Sequence, residues 1–203
     1  MTAYRVALPH PWQRIPLDDS MGSTVDEIVE ATVRRIPADV PPDQVAQTRI
    51  KLEGMLLKDL RHAKDNGGLD YYLPTDLVHG IQISASFLVS GLIPDASVPD
   101  GLTGRVLASL IASSDDAAPV DAGGSVWVRS TSVIESRPDD LVKDASRARK
   151  VEYTTAVPGD ERRWIIVSFT TLGDGDPDSE FTGLMVELFD AIMSTWRWLE
   201  ETS

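Results

Sequence analysis

The order in which helical and strand-like hydrophobic periods follow each other constrains the fold of this 203-residue chain more than any other feature. Apolar residues recur at helical spacing between residues 24 and 64, and alternate with polar residues in four stretches between residues 81 and 172. A helical period returns from Asp176 to Glu201. The regular alternation of strand and helix that builds a parallel sheet is missing. The sequence therefore predicts one α+β domain, residues 1–203, with a mostly antiparallel sheet and helices on both faces.

Helices are predicted at residues 24–36, 41–64, 176–201 and from 100 or 103 to 111, with a short one near 138–145. Strands are predicted at residues 4–8, 12–17, 81–89, 124–134, 149–157 and 163–172. Thr24 and Glu27 have the capping-box spacing of a helix start. Pro9 and Pro11 favour an edge or a bulged hairpin for the first two strands, with Trp12 turned inward.

The predicted C-terminal helix has an unusually wide apolar surface. Asp176 is the predicted N-cap, and Pro177 falls at the first helical position, where its missing N–H costs nothing. Large apolar side chains, including Phe189 and Met193, cover an arc of roughly 200°, against the ~100° of an ordinary surface helix. Trp198 falls on the polar side. Either this helix is packed on two sides and leaves one tryptophan half exposed, or the flank around Trp198 is a docking surface.

Composition argues against several classes of protein. The chain has no cysteine, which excludes disulfides, thiolate nucleophiles, cysteine-based zinc sites and iron–sulfur clusters. Its formal net charge is −13, whereas binders of DNA or anionic membranes need a basic face. The first residues contain no apolar run of signal-peptide length, and no stretch approaches the ~20 apolar residues of a membrane span. We therefore expect a cytoplasmic protein that binds neither nucleic acid nor membrane, and whose acidic excess suits a basic partner.

The sequence contains no recognisable catalytic or metal-binding constellation. The three histidines, His10, His62 and His79, do not have the spacing of metal ligands on one helix. Neither a G-x-S-x-G nucleophile motif nor a phosphate-binding loop is present. We therefore predict no cofactor, no metal and no catalytic residue.

An acidic run before the C-terminal helix has part of the spacing of a calcium loop. Asp174, Asp176 and Asp178 occupy the first three ligand positions. Ser179 replaces the glycine that the sixth position needs, and Met185 replaces the glutamate of the twelfth. Helix capping is therefore the expected role of these carboxylates.

Two segments resemble a known superfamily. Residues 9–18, PHPWQRIPLD, resemble the opening of actinobacterial proteins of the Mog1/PsbP-like, LpqN-type superfamily, and residues 188–198, LFDAIMSTWRW, are similar to their last helix. The resemblance implies an α/β/α sandwich that serves as a non-catalytic binding scaffold for protein partners, as in members that bind a small GTPase or photosystem subunits. It implies no catalytic residues, because the superfamily shares no set of them.

The leading functional hypothesis is a non-catalytic protein-interaction module. Its expected contact surface is Trp198 with the neighbouring apolar side chains of Met193 and Phe189, or the sheet edge that ends at Trp12. The expected partner is another protein, whose identity the sequence does not reveal, or a second copy of this chain.

Two further hypotheses stay open. The first is a carrier of a small apolar ligand, with a pocket lined by residues such as Phe87, Trp127 and Trp164. The second is a hydrolase that uses His79 with a nearby serine or aspartate.

Overall fold

The fold is described by a computed structural model over residues 3–93, 103–112, 116–135 and 147–199, and these ranges contain four helices and nine strands. The helices are α1 (Met21–Val33), α2 (Pro42–Asp65), α3 (Thr103–Ala112) and α4 (Glu180–Ser194). The strands are β1 (Ala3–Arg5), β2 (Trp12–Pro16), β3 (Gly68–Pro74), β4 (Ala85–Leu92), β5 (Ala118–Ala122), β6 (Ser125–Glu135), β7 (Arg147–Val157), β8 (Asp160–Thr171) and β9 (Arg197–Leu199).

Seven of these strands form one antiparallel sheet with the order β2-β3-β4-β8-β7-β6-β5. Strands β1 and β9 form a separate antiparallel ribbon, in which Tyr4 lies opposite Trp198. The α+β prediction with a mostly antiparallel sheet is therefore confirmed. None of the helices in the described ranges has both the length and the apolar character needed to cross a membrane.

Two apolar clusters lie on opposite faces of the sheet. Tyr71 and Tyr72 are successive residues of β3, so their side chains point to different faces. Tyr71 packs against a cluster that joins β2 to the two N-terminal helices and includes Ile15, Val25, Ile28, Val29 and Leu60. Tyr72 belongs to a larger cluster that joins the sheet to α4 and includes Trp12, Phe87, Trp127, Phe169 and Phe189. Since full burial of one such side chain contributes roughly 1.5–3 kcal/mol, these clusters supply much of the driving force for folding.

The C-terminal helix is shorter than predicted and is followed by a strand. Thr195 and Trp196 donate backbone hydrogen bonds of 3.0 Å to the carbonyls of Ile192 and Met193, the tight pattern of a last helical turn. The Thr195 hydroxyl oxygen also accepts the backbone N–H of Ala7 at 2.8 Å, so the helix ends where the N-terminal segment crosses it. The prediction of one helix to residue 201 is wrong, because Arg197–Leu199 pair with β1 instead.

The starts of two helices also differ from the prediction. Ser179, not Asp176, is the N-cap of α4, and its hydroxyl oxygen accepts the backbone N–H of Thr182 at 3.1 Å. Helix α1 begins at Met21, three residues before the predicted cap. Thr24 lies inside this helix, where its hydroxyl donates to the carbonyl of Ser20 at 3.2 Å.

The three long strands of the second half are confirmed to within three residues at each end, and the Pro158-Gly159 turn joins β7 to β8 as expected. The strand predicted from Ile81 begins only at Ala85, because Ile81 closes a tight turn with Val78. Strand β3 and the short edge strand β5 were not predicted. The short helix predicted near residues 138–145 lies outside the described residues. Strand β2 lies at the edge of the sheet, as Pro9 and Pro11 predicted.

Candidate functional site

Three of the four residues predicted to meet a partner lie in the core. Phe189 and Met193 have no exposed surface, and Trp12 is 7% exposed. Most of the wide apolar arc of α4 is therefore covered by the protein itself: Phe189 stacks on Phe169 with ring centroids 4.6 Å apart and also packs against Phe87. A partner does not reach these side chains in this conformation.

Trp198, the fourth predicted residue, lies on β9 instead of on a helix. Its ring stacks on Trp127 with centroids 6.0 Å apart and meets Trp196 edge-on at 5.4 Å. Its indole N–H donates to the hydroxyl of Ser125 at 2.8 Å. Trp198 is only half buried, but its contacts anchor the β1–β9 ribbon to the sheet, which gives it a structural role.

The residues of the two other hypotheses do not form a site. Phe87, Trp127 and Trp164 are at most 5% exposed, and Phe87 stacks on Tyr72 at 4.2 Å, so packed side chains occupy the predicted pocket. His79 is exposed in the turn after β3 with a φ of 51°. Within the described ranges, no hydrogen bond or ion pair joins it to a serine or an aspartate.

The carboxylates of the acidic run order the turn that leads into α4 and do not cap the helix themselves. One oxygen of Asp174 accepts the hydroxyl of Ser179 at 2.6 Å and the backbone N–H of Asp176 at 3.3 Å. The hydrogen bond from Ser179 lowers the pKa of the Asp174 carboxyl. Asp176 accepts the backbone N–H of Asp178 at 2.9 Å. Over the described residues, no group of three or more histidine, aspartate or glutamate side chains is arranged to hold a metal ion.

Two carboxylates, the buried Asp70 and the half-buried Asp190, tie elements together. Asp70 is 3% exposed and accepts hydrogen bonds from the Tyr4 hydroxyl and, at 2.7 Å, from Nε of Arg14. Burial raises the pKa of Tyr4, and it raises that of the adjacent Tyr72 to about 12. Both phenols are therefore neutral donors at ordinary pH, and the cluster joins β1, β2 and β3.

The second carboxylate, Asp190 of α4, receives both the Nε–H and the Nη2–H of Arg129 at 2.9 Å. The Tyr153 hydroxyl donates to it at 2.7 Å. Burial is the main cause of the raised pKa of Tyr153. This bidentate pair, together with the Tyr153 hydroxyl, fixes α4 on β6 and β7 and is a structural cross-link.

An open apolar cleft lies between the two N-terminal helices and the segment after β3. We call it the apolar cleft; it has a volume of about 520 Å³ and is lined mainly by Ile28, Val29, Leu52, Leu56, Leu73 and Leu77. Leu77 keeps 52% of its surface exposed, and Ile81 on the same turn keeps 53%. Large side chains this exposed at the mouth of a concave apolar surface are typical of a binding site.

Arg35 fixes the far wall of the apolar cleft. Its guanidinium lies 2.6 Å from the Asp76 carboxylate and donates to the carbonyls of Thr75 at 2.6 Å and Ala31 at 3.0 Å. The backbone N–H of Leu77, with a further contribution from Arg35, lowers the pKa of the Asp76 carboxyl. A smaller cavity of about 280 Å³ shares Arg35, Thr75 and Asp76 with the cleft and extends it towards the edge strand β2.

A third cavity adjoins the apolar cleft on its other side. It measures about 690 Å³ and shares Leu73, Pro74 and Gln82 with the cleft. Its polar lining comes from Asp59, Tyr71, Gln82, Ser84, Ser86 and Thr170, and we call it the hydroxyl-lined cavity.

The apolar cleft was not identified from the sequence, although half of it was visible there. Leu52 and Leu56 belong to the predicted apolar stripe of α2 and Ile28 to that of α1. The other wall comes from β3 and the turn after it, which no periodic pattern marks.

No protein-family model matches the chain, and no curated protein matches it either.

Proposed function

We propose that this protein is a non-catalytic protein-interaction module, built as the α/β/α sandwich of Mog1/PsbP-like proteins and acting in the cytoplasm. The apolar cleft takes an apolar segment of a protein partner. The observation that supports the proposal is the exposure of Leu77, which lines the cleft and leaves more than half of a large apolar side chain in water.

The shape of the cleft favours an elongated occupant. One long wall is formed by α1 and α2 and the other by the end of β3 and the turn after it, and the smaller cavity beyond Arg35 prolongs the cleft. Amphipathic helices bind grooves of this kind with apolar side chains at helical spacing. An open cleft covers one side of such a segment and leaves the polar side in solvent.

The charges near the cleft predict a binding energy that comes from apolar burial. Residues 21–66, which contain both helices, carry eight acidic and seven basic side chains, in contrast to the net charge of −13 of the whole chain. Two of the charged pairs, Arg35 with Asp76 and Arg49 with Glu30, already neutralise each other there. Affinity for the partner is therefore expected to change little with ionic strength.

The test is affinity capture from cells of the source organism with three baits: wild type, Leu77→Lys and Leu184→Lys. Leu184 is the matched control, because it is 51% exposed, against 52% for Leu77, but lies on α4. A partner retained by wild type and Leu184→Lys and lost with Leu77→Lys supports the proposal. Hydrogen exchange of the purified complex is then expected to show protection at residues 73–82. Equal retention by all three baits would place the interaction elsewhere and refute this role of the cleft.

A carrier of a small apolar ligand is the second candidate, because about 520 Å³ is also an ordinary volume for a small-molecule site. Native mass spectrometry of protein purified from its own host separates the two functions. A non-covalent adduct present on wild type and absent from Leu77→Lys favours the carrier, whereas its absence from wild type removes this candidate.

A further inference from the structure

Several polar side chains of the hydroxyl-lined cavity are open to solvent and are not used within the fold, unlike the polar groups that tie the elements together. Asp70 and Asp190 are matched to tyrosine and arginine donors, and Glu152 accepts the Ser168 hydroxyl at 2.8 Å and pairs with Lys150. Over the described residues, by contrast, the side chains of Gln82, Ser84 and Thr170 make no hydrogen bond; Gln82 and Ser84 are exposed and Thr170 is half-buried. Tyr71 and Ser86 of the same cavity are hydrogen-bonded to each other. Polar groups that the fold does not use, gathered on one concave surface, are available to a ligand.

The chemistry of the lining restricts what that ligand can be. Tyr71, Ser86 and Thr170 point to the same face of the sheet, and their hydroxyls act as donors or acceptors. Burial raises the pKa of Tyr71, and the nearby Asp59 carboxylate adds to this effect, so the phenol stays a neutral donor. Asp59 is the only charged residue of the described chain that lines the cavity, so anionic ligands are repelled and phosphate groups find no cation.

Apolar surface completes the site. Leu73, Ile83 and Leu172 line the same cavity, so one side of a ligand meets carbon atoms while its other side meets hydroxyl, amide and carboxylate groups. A sugar ring has this combination of an apolar face and a rim of hydroxyls. We propose that the hydroxyl-lined cavity is a binding site for a neutral, polyhydroxylated ligand of the saccharide class. This site is separate from the partner-binding role of the apolar cleft, although the two share one wall.

Titration with two probes that differ only in charge tests the ligand class. Methyl α-D-glucopyranoside is expected to bind saturably with a Kd of about 1 mM, the affinity ordinary for so few atoms. Methyl α-D-glucuronide, the same ring with a carboxylate, is expected to bind about tenfold more weakly because of Asp59. Amide chemical shifts in two-dimensional NMR report both, and the changes are expected at residues 82–86. No saturable binding of the neutral probe, or equal binding of the two probes, overturns the proposal.

A pair of matched variants tests the location. Thr170→Val removes one lining hydroxyl at almost constant shape and is expected to weaken the neutral probe about fivefold, the effect of one lost hydrogen bond. Thr154→Val removes a hydroxyl from the same face of the neighbouring strand outside the cavity, and unchanged binding is expected. Equal Kd values for the two variants would refute this site. Leu77→Lys is expected to bind the neutral probe like wild type, whether or not this variant loses the protein partner. The saccharide site and the partner-binding role of the apolar cleft can therefore be refuted independently.

Discussion

Asp70 is the residue on which the first strands depend. It carries a charge at a position with 3% exposure, and its oxygens are satisfied by side chains that come from β1 and β2. A buried carboxylate without donors is strongly destabilising, so Tyr4 and Arg14 are required wherever this fold keeps the aspartate. The same tyrosine stacks on Trp196 with centroids 4.2 Å apart, which joins a polar and an apolar contact in one side chain.

Tyr4→Phe is expected to lower the free energy of unfolding by about 1–3 kcal/mol, because it removes a donor to a buried charge and keeps the aromatic stack. Equilibrium unfolding in urea measures the change. Tyr72→Phe is the control, since the Tyr72 hydroxyl lies 3.4 Å from that of Tyr4 and has no hydrogen bond to Asp70. Tyr72→Phe is expected to lower the free energy of unfolding by less than Tyr4→Phe. Equal losses for the two variants would contradict the role assigned to the Tyr4 hydroxyl.

Two successive glycines offer a second comparison at this scale. Gly123 and Gly124 both have positive φ, 64° and 74°. A Cβ at position 123 would lie 2.4 Å from the carbonyl oxygen of Trp196, whereas one at position 124 would meet no atom within 4 Å. Gly124→Ala is expected to cost only the left-handed conformation, about 1–2 kcal/mol. Gly123→Ala is expected to cost clearly more, since the Trp196 backbone must move. Thermal unfolding compares them, and equal Tm values would refute the close approach.

At the scale of the element, the end of α4 shows where a periodic pattern stops being informative. Trp196 fits a continuation of the apolar arc of the helix while Trp198 falls on its polar side, and the two residues also fit the alternation of a strand. The tertiary contacts decide between them: β1 is available to pair with β9, and Trp127 and Ser125 of the sheet receive the Trp198 ring. None of these partners is near in sequence, so no local signal marks the change.

Trp198→Ala is therefore expected to destabilise the fold, by about 1–3 kcal/mol, through loss of the stack on Trp127 and of a hydrogen bond. Leu199→Ala on the same strand is the control, because Leu199 is 42% exposed, and a change within about 0.5 kcal/mol is expected. Denaturant unfolding followed by far-UV circular dichroism measures both variants. If Trp198→Ala is as stable as wild type, the ribbon is not anchored by this residue.

The elements that sequence analysis predicted well are those whose environment is regular along their length. Strands β7 and β8 are central, and buried positions alternate from Val151 to Val157 and from Ile165 to Thr171, because each strand has one side in the aromatic cluster. Strand β3 was missed since its inward positions include Asp70, a charge that only its distant partners explain. Strand β5 was missed since it is a short edge strand that contains Pro119.

At the scale of the whole molecule, the candidate site combines parts that are far apart in the chain. The apolar cleft needs side chains from residues 28–56 on one wall and from residues 73–82 on the other. Periodicity identifies the first set as apolar and buried, which suits a core as well as a groove. Only the packing of α1 and α2 over the end of β3 shows that Leu77 stays uncovered. The residues first predicted for a site, Phe189 and Met193, are buried against the sheet, because most of the apolar arc of α4 packs into the core.

The β1–β9 ribbon places Ala3 directly opposite Leu199, so the two described ends of the chain meet in space. Because the two ends are this close, a short linker can join them and close the chain into a ring. A circular permutant that joins these ends through a short flexible linker, with new termini at the exposed Pro158-Gly159 turn, keeps every strand pair of the sheet except the hairpin connection itself. In this permutant the order of the elements along the chain changes while their arrangement in space stays the same. The fold therefore does not require the chain to be continuous at the β7–β8 turn.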